Sequence, residues 1–400
     1  METVKAKIKQ LSAEYASELI EIRRHLHQYP ELSFQEFATS KYLQDKLKSW
    51  GLSIDSIWIE TAFTVVIDSG QEGATIGLRA DLDALPIIEQ TGASYQSKNE
   101  GIMHACGHDV HAASLMGVAK ILNETKADWK GKVVLIFQAA EEKLPGGASL
   151  MIKEGLLEKY KIDRMIAQHV YPEMEVGKVG FRSGMYMASA DEIYLTVKGK
   201  GGHAALPHKN VDSILIAANI LTKLQQISSR IAPPTVPTVL SFGKIEGLGA
   251  TNVIPDIVKI EGTLRTMDEN WRAVYHKRIE EICIAEATSM GGGCEVDIRK
   301  GYPFLTNDEE TTRVSKKAAV DFLGEAKVED LALRMTAEDF AYFSQQLPVC
   351  FYRLGVGNEK KGIIHSVHHP KFDIDEKALE IAPALMSYIT IQQLKDLQNN

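Results

Sequence analysis

Leu11, Tyr15, Leu19, Ile22 and Leu26 recur at helical spacing among charged residues, which predicts an amphipathic helix ending near Tyr29-Pro30. The segments "FTVVIDSG", "ATIGLRADLDAL" and "KVVLIFQAAEE" follow another pattern, β-branched apolar runs that pass into polar residues. They read as strands, and the stretches over roughly 36–50 and 108–126 read as helices. Strands alternating with helices predict an α/β sheet with chemistry at the strand ends. From Asp191 the rhythm changes to strand ("EIYLTVKG"), helix ("VDSILIAANILTKLQQI"), strand ("TVLSFGKIEG"), strand ("DIVKIEGTLRT"), helix ("ENWRAVYHKRIEEICIAEATSM") and strand ("CEVDIRK"). That βαββαβ order is a ferredoxin-like unit, complete in itself, and predicts a domain inserted over 186–300. The flanking segments, 1–185 and 301–400, would form one α/β domain around a central mixed sheet and end in an amphipathic helix.

Length and charge narrow the function classes. At 400 residues the chain is too long for one ordinary core, in keeping with two domains. It is 44% hydrophobic and 24% charged, with a net charge of −8. That acidity argues against nucleic acid or an anionic membrane as partner, since both need a basic face. Cys106, Cys283, Cys294 and Cys350 are few and scattered, which fits a reducing cytosol better than a disulfide framework. No basic-then-apolar leader and no membrane-length apolar run is present. The sequon Asn123-Glu124-Thr125 stands without other signs of secretion.

Four clusters carry metal-type ligands. In "IMHACGHDVHAAS", His104, Cys106, His108 and His111 fall within eight residues, and Cys106 and His108, on one short turn, could share a cation. Glu141 and Glu142 follow the apolar run Val133–Phe137; adjacent carboxylates at a buried strand end repel, and a cation would offset that. The neighbouring Lys143 leaves open a solvated loop pair. His169 closes the apolar run in "MIAQHVYP", where a lone histidine is more often a satisfied core residue. "HSVHHPKFDIDE" offers His365, His368 and His369 before a proline turn. Each is ambiguous singly; together, at strand ends and turns, they point to a metal site.

The successive motifs "RRHLHQYPELSFQE", "LRADLDALP", "HACGHDVHAAS", "FQAAEEKLPGGASLMI", "VKGKGGHAALPH", "TNVIPD", "AEDFAYF" and "HHPKFDIDE" resemble, in order and over nearly the whole chain, those of the M20 metallopeptidase family. The likeness is to its amidohydrolase branch, which includes hippurate hydrolases, N-acetyldiaminopimelate deacetylases and auxin-conjugate hydrolases. The resemblance implies an α/β catalytic domain, an inserted lid and dimerisation domain, and two divalent ions per subunit (zinc, manganese, cobalt or nickel). It implies Cys106, His108, Glu142, His169 and His368 as ligands and Glu141 as general base, with His365 dispensable. Asp83 would orient a ligand histidine, Asp81 being the weaker candidate, while His104 and His111 would be hydrogen-bonding neighbours and His25 and His27 structural. His203, in "GKGGHAA", would stabilise an oxyanion on the substrate of the partner subunit or of its own chain, and Asn252 and Arg265 would hold the substrate. Gly355 and Gly357 would let backbone approach a ligand or form a plain turn. Ala139 stands where proline is common, and Lys143-Leu144 replaces small residues, which touches the rim and leaves specificity open. The implied activity is hydrolysis of N-acyl amino acids by a cytoplasmic homodimer or larger homo-oligomer joined through the lid. The rival within the family is a dipeptidase or carboxypeptidase. From other classes come a non-catalytic metal-stabilised binding protein and a cysteine hydrolase using Cys106 and His108.

Overall fold

A computed structural model describes residues 2–399. The chain divides into two compact units: Met1–Gly184 with Thr306–Ala332 and Tyr342–Asn400, and Met185–Leu305 with Leu333–Ala341.

The larger unit is built on an eight-stranded mixed sheet, in the order Ser56–Trp58, Ala62–Asp68, Lys132–Gln138, Thr75–Asp81, Arg164–Glu175, Val349–Gly357, Val179–Phe181, Val328–Asp330. The four middle strands run parallel. Ala62–Asp68 and Val179–Phe181 run against them on either side. Val133 to Phe137 are all buried, so this strand is covered on both faces, as a near-continuous apolar run requires. Phe63 and Phe137 face each other across the antiparallel pair with rings stacked at 4.5 Å. Helices Glu2–Gln28, His108–Glu124 and Ala378–Asn399 pack on one another. Their close approach needs Gly117, where a Cβ would lie 2.7 Å from Leu19 and 2.8 Å from Pro383. The α/β class and the central mixed sheet are those predicted from the strand–helix alternation.

The smaller unit carries an antiparallel four-stranded sheet, ordered Thr238–Glu246, Ile257–Thr266, Asp191–Lys198, Gly293–Lys300. In chain order, helices Ser213–Leu224 and Glu269–Ser289 complete βαββαβ. Ile193, Leu195 and Val197 alternate inward and join Ile216, Ile220, Tyr275 and Ile279 in a separate core. Asp212 and Asp268 cap the two helices, accepting from the Ile214 and Leu215 amides and from the Trp271 amide. No helix of the described residues is long and apolar enough to cross a membrane.

A buried ion cluster ties Glu269–Ser289 to this sheet. The Asp191 carboxylate receives Arg272 Nε at 2.9 Å and lies 2.6 Å from His276 Nε2. Burial alone would raise its pKa, but the bonds from His276 and Arg272 outweigh it and take the group from 3.8 to about 2. Depression of a carboxyl by this much contributes about 2 kcal/mol of stability, present above about pH 4 and lost as pH falls toward 2. Hydrogen exchange of the Asp191–Lys198 amides should therefore accelerate over that window, and Asp191→Asn, less stable at neutral pH, should lose the acid dependence. An unchanged acid limb in the variant would exclude Asp191 as its source.

Candidate metal centre

Thr75–Asp81 and Lys132–Gln138 are neighbouring parallel strands that end side by side, Asp81 opposite Gln138. The turn after each therefore lies at the same edge of the sheet. From the first turn, Asp83 accepts the Glu141 amide at 3.0 Å, the Glu142 amide at 2.9 Å and the Ser33 hydroxyl at 2.6 Å. A second buried carboxylate, Glu36, accepts the Ala140 amide at 2.9 Å, the Phe34 amide at 3.0 Å and the Thr61 hydroxyl at 2.8 Å. Burial and the nearby Asp83 push the Glu36 carboxyl up to about 7. Three consecutive amides are thus held while Ala140 takes a left-handed φ of 55°.

Cys106 and His108 straddle Gly107, which opens the helix His108–Glu124 with φ +84°. A Cβ there would lie 2.5 Å from a Val170 methyl, so only glycine lets the turn close against the strand Arg164–Glu175. His108 Nδ1 lies 2.8 Å from the Asp83 carbonyl, and His169 Nδ1 2.8 Å from the Val170 carbonyl. Both bonds require Nδ1 to donate, so each ring, when neutral, offers its lone pair at Nε2. His169 Nε2 and His368 Nε2 each lie 3.3 Å from the Cys106 sulfur. His368 Nε2 is also 3.2 Å from Glu142 Oε1. His368 is held with φ 64° by its own amide, which donates to the Ala105 carbonyl at 2.7 Å. Backbone strain of this kind persists where the surroundings fix it, often at functional sites.

The donor atoms form three linked groups, Cys106–His108–His169, Cys106–Glu142–His368 and His108–Glu141–Glu142, each with its atoms within 4.8 Å of one another. Shared members make this one cluster. Asp81, His108 and His111 also meet that distance. His111 has no lone pair to give, however: Nδ1 faces Asp81 at 2.6 Å, and Nε2 accepts the Val170 amide at 2.9 Å.

The electrostatics favour bound positive charge. His108 Nε2 and Glu142 Oε1 are buried and make no aligned hydrogen bond among the described residues. Burial, then the carboxylates Glu142 and Glu141, push the Cys106 thiol well above its ordinary value. Burial would lower His108, but Asp81 and Asp83 outweigh it and raise the imidazole to about 10. Burial opposes the charge on Asp81 too, yet His108, Arg79 and His111 hold it well below the usual carboxylate range. The cluster thus retains protons on Cys106 and His108, as donors do where the field calls for positive charge. Cations there would displace them.

The remaining sequence candidates divide. His111 is a hydrogen-bonding neighbour, as expected; His104 is not, since neither ring nitrogen has a partner among the described residues and burial lowers it to about 4. His27 bonds to Asp109 and Glu89, and His25 stacks on Tyr42. His365 stacks on His369 and lies outside the cluster. Asp83 meets His108 chiefly through its backbone carbonyl, its carboxylate oxygen being 3.3 Å away, and spends that carboxylate on the acidic turn. Gly355 and Gly357 lie within the strand Val349–Gly357, where a Cβ would strike the Glu175 and Pro172 carbonyls, so their need is packing. In the smaller unit, His203 is exposed on the short strand Gly202–His203, paired with Val253–Ile254. Asn252 adjoins it through the bond from the Ala204 amide to the Asn252 carbonyl. Arg265 is half-buried on Ile257–Thr266. Sequence reasoning gave Ser33, Glu36 and Gly107 no role of their own.

A mixed α/β sheet that gathers thiol, imidazole and carboxylate at the ends of its parallel strands fits a metal-dependent hydrolase. The chain matches the profile of "Peptidase family M20/M25/M40" over residues 77–391 and belongs to that family. It is 41% identical over 379 residues to an N-acetyl-L-cysteine deacetylase of Bacillus subtilis (95% of this chain, 88% of that one). It is 35% identical over 377 residues to thermostable carboxypeptidase 1 of Saccharolobus solfataricus (94% and 95%). Among solved structures it superposes on the Bacillus subtilis YXEP protein, described as a dinuclear metal binding peptidase from the M20 family. The TM-score is 0.82 at 31% identity, covering 96% of this chain and 99% of that one.

Gly107→Ala should cost about 2 kcal/mol or more, through overpacking and a disfavoured φ. It should also loosen divalent-ion binding, because Cys106 and His108 flank the position. Melting temperature and ion titration check both, and wild-type values in the variant would show that the turn does not need glycine.

Proposed function

We propose that this chain hydrolyses N-acyl amino acids to a carboxylate and a free amino acid, with two divalent ions held by Cys106, His108, Glu142, His169 and His368. The observation that carries it is the convergence of three imidazole Nε2 atoms, one thiol and one carboxylate beside a second, adjacent carboxylate, Glu141. The deacetylase relative and the dinuclear structural neighbour support the same reading. Bound there, the ions would acidify a water and polarise the amide carbonyl. Glu141 takes the water's proton and delivers it to the leaving nitrogen, which would otherwise depart poorly. Asp83 keeps Glu141 and Glu142 in register by holding both their amides. His203 Nδ1 accepts the Ala205 amide at 3.1 Å, so the neutral ring keeps its proton on Nε2 and can donate it to an oxyanion. The Arg265 guanidinium has no hydrogen-bond or ion-pair partner among the described residues, which suits it to pair with the substrate's free carboxylate, and Asn252 helps orient it.

Thiolate and imidazole favour zinc, while the carboxylates also suit manganese, cobalt or nickel. We place the enzyme in the cytoplasm, on its four free cysteines, and in a homodimer or higher homo-oligomer. Thr238–Glu246 is an edge strand carrying exposed Val239 and Ile245, and Leu248 beyond it is 86% exposed; pairing with a second copy would cover them. His203 would then serve the partner's substrate. The second reading, a carboxypeptidase, is favoured by the Saccharolobus relative. A panel of N-acetyl, N-benzoyl and indole-acyl amino acids beside dipeptides separates the two. A cysteine hydrolase fits poorly, because an activated nucleophile needs a lowered thiol pKa and that of Cys106 is raised.

Chelation should abolish activity and added divalent ion restore it. Glu141→Gln should keep its metal while turnover falls by about a hundredfold or more; Glu142→Gln should lose metal. Equal metal loss in the two variants would end the division of labour between the carboxylates.

A further inference from the structure

Glu36 lies in the segment "ELSFQE", which neither the ligand set nor the proposed proton transfers employ. It is fully buried, yet it does not face the donor atoms. Its Oε1 instead receives the Ala140 amide, and its Oε2 the Thr61 hydroxyl. Ala140 is the residue where the chain leaves the strand Lys132–Gln138 and turns, with φ 55°, into Glu141 and Glu142. A residue with a Cβ avoids that conformation unless a contact selects it. On the far side the Ala140 carbonyl accepts the Gly147 amide at 2.8 Å, so both faces of the left-handed residue are fastened. Asp83 fixes only the two amides that follow.

We infer that Glu36 is a positioning residue for the acidic pair. By accepting the Ala140 amide it selects the left-handed turn that aims Glu142 at the ions and Glu141 at the water. The inference rests on the metal-centre reading above and deepens it. What matters is an acceptor with the reach of Oε1, rather than the negative charge. A glutamine offers the same oxygen at the same reach, with its NH2 turned to Thr61, whose hydroxyl can accept as well as donate. An aspartate keeps the charge and loses the reach.

Three proteins decide it: wild type, Glu36→Gln and Glu36→Asp. Divalent-ion affinity is measured by competition with a chromogenic chelator, melting temperature on metal-free protein, and kcat and KM on an N-acyl amino acid. Glu36→Gln should bind the ion within about threefold of wild type, and Glu36→Asp about tenfold or more weakly, the scale of a lost residue behind a ligand. The kcat of ion-saturated Glu36→Asp should fall by about ten- to a hundredfold with KM little changed, as a displaced base predicts. A loss of affinity in Glu36→Gln as large as in Glu36→Asp overturns the inference, as charge would then be the cause. Equal affinities in all three, with only the melting temperature moving, also overturn it, because Glu36 would then serve the fold alone. Should wild-type protein bind the ion yet hydrolyse no N-acyl amino acid, the substrate reading fails while the affinity comparison still decides the role of Glu36.

Discussion

Asp81, Asp83, Glu141 and Glu142 crowd together with the thiol of Cys106 where parallel strands end, and such a set is tolerable only if positive charge is supplied. The protein supplies part of it from within. Arg79 pairs with Asp81, and the amides of Glu141 and Glu142 point at Asp83. His108, at the first turn of its helix, faces both acids. Partial positive charge at a helix N-terminus adds to the same balance. The remaining deficit is visible in the raised pKa values of Cys106 and His108. Much else follows from keeping these groups in place: glycine at 107, left-handed backbone at Ala140 and His368, and the Nδ1 bonds that turn two imidazoles inward.

Local patterns made the donors readable in the sequence. Cys106 and His108 sit on one turn, Glu141 and Glu142 directly follow an apolar strand, and the βαββαβ order of the smaller unit appears as alternation and helical period within about a hundred residues. The fasteners left no such trace. Glu36 reaches Ala140 across 104 positions and Ser33 reaches Asp83 across 50, and a polar residue that meets a backbone amide so far away creates no period and no spacing. His104 shows the converse limit. It lies within four positions of Cys106 and His108, yet its ring lies near His27 and neither of its nitrogens has a hydrogen-bond partner among the described residues. Leu333–Ala341 likewise joins the smaller unit through contacts that no local pattern announces.

The donor cluster is asymmetric. Cys106, His108 and His169 are all buried, and both histidines are fixed at Nδ1 by backbone carbonyls. Cys106, Glu142 and His368 are held less completely: the His368 side chain is 52% exposed, and its Nδ1 has no partner among the described residues. A carbonyl sets the tautomer of a ligand without adding charge, so the buried side gains orientation at no further electrostatic expense. On the open side, orientation comes from the backbone instead, through the left-handed φ of His368 and its amide bond to Ala105. Cys106 belongs to both donor groups, so ions held there would meet one group that is buried and one that opens to solvent at His368. Such an asymmetry would suit a hydrolytic site, where water and substrate must enter on one side without loosening the donors on the other.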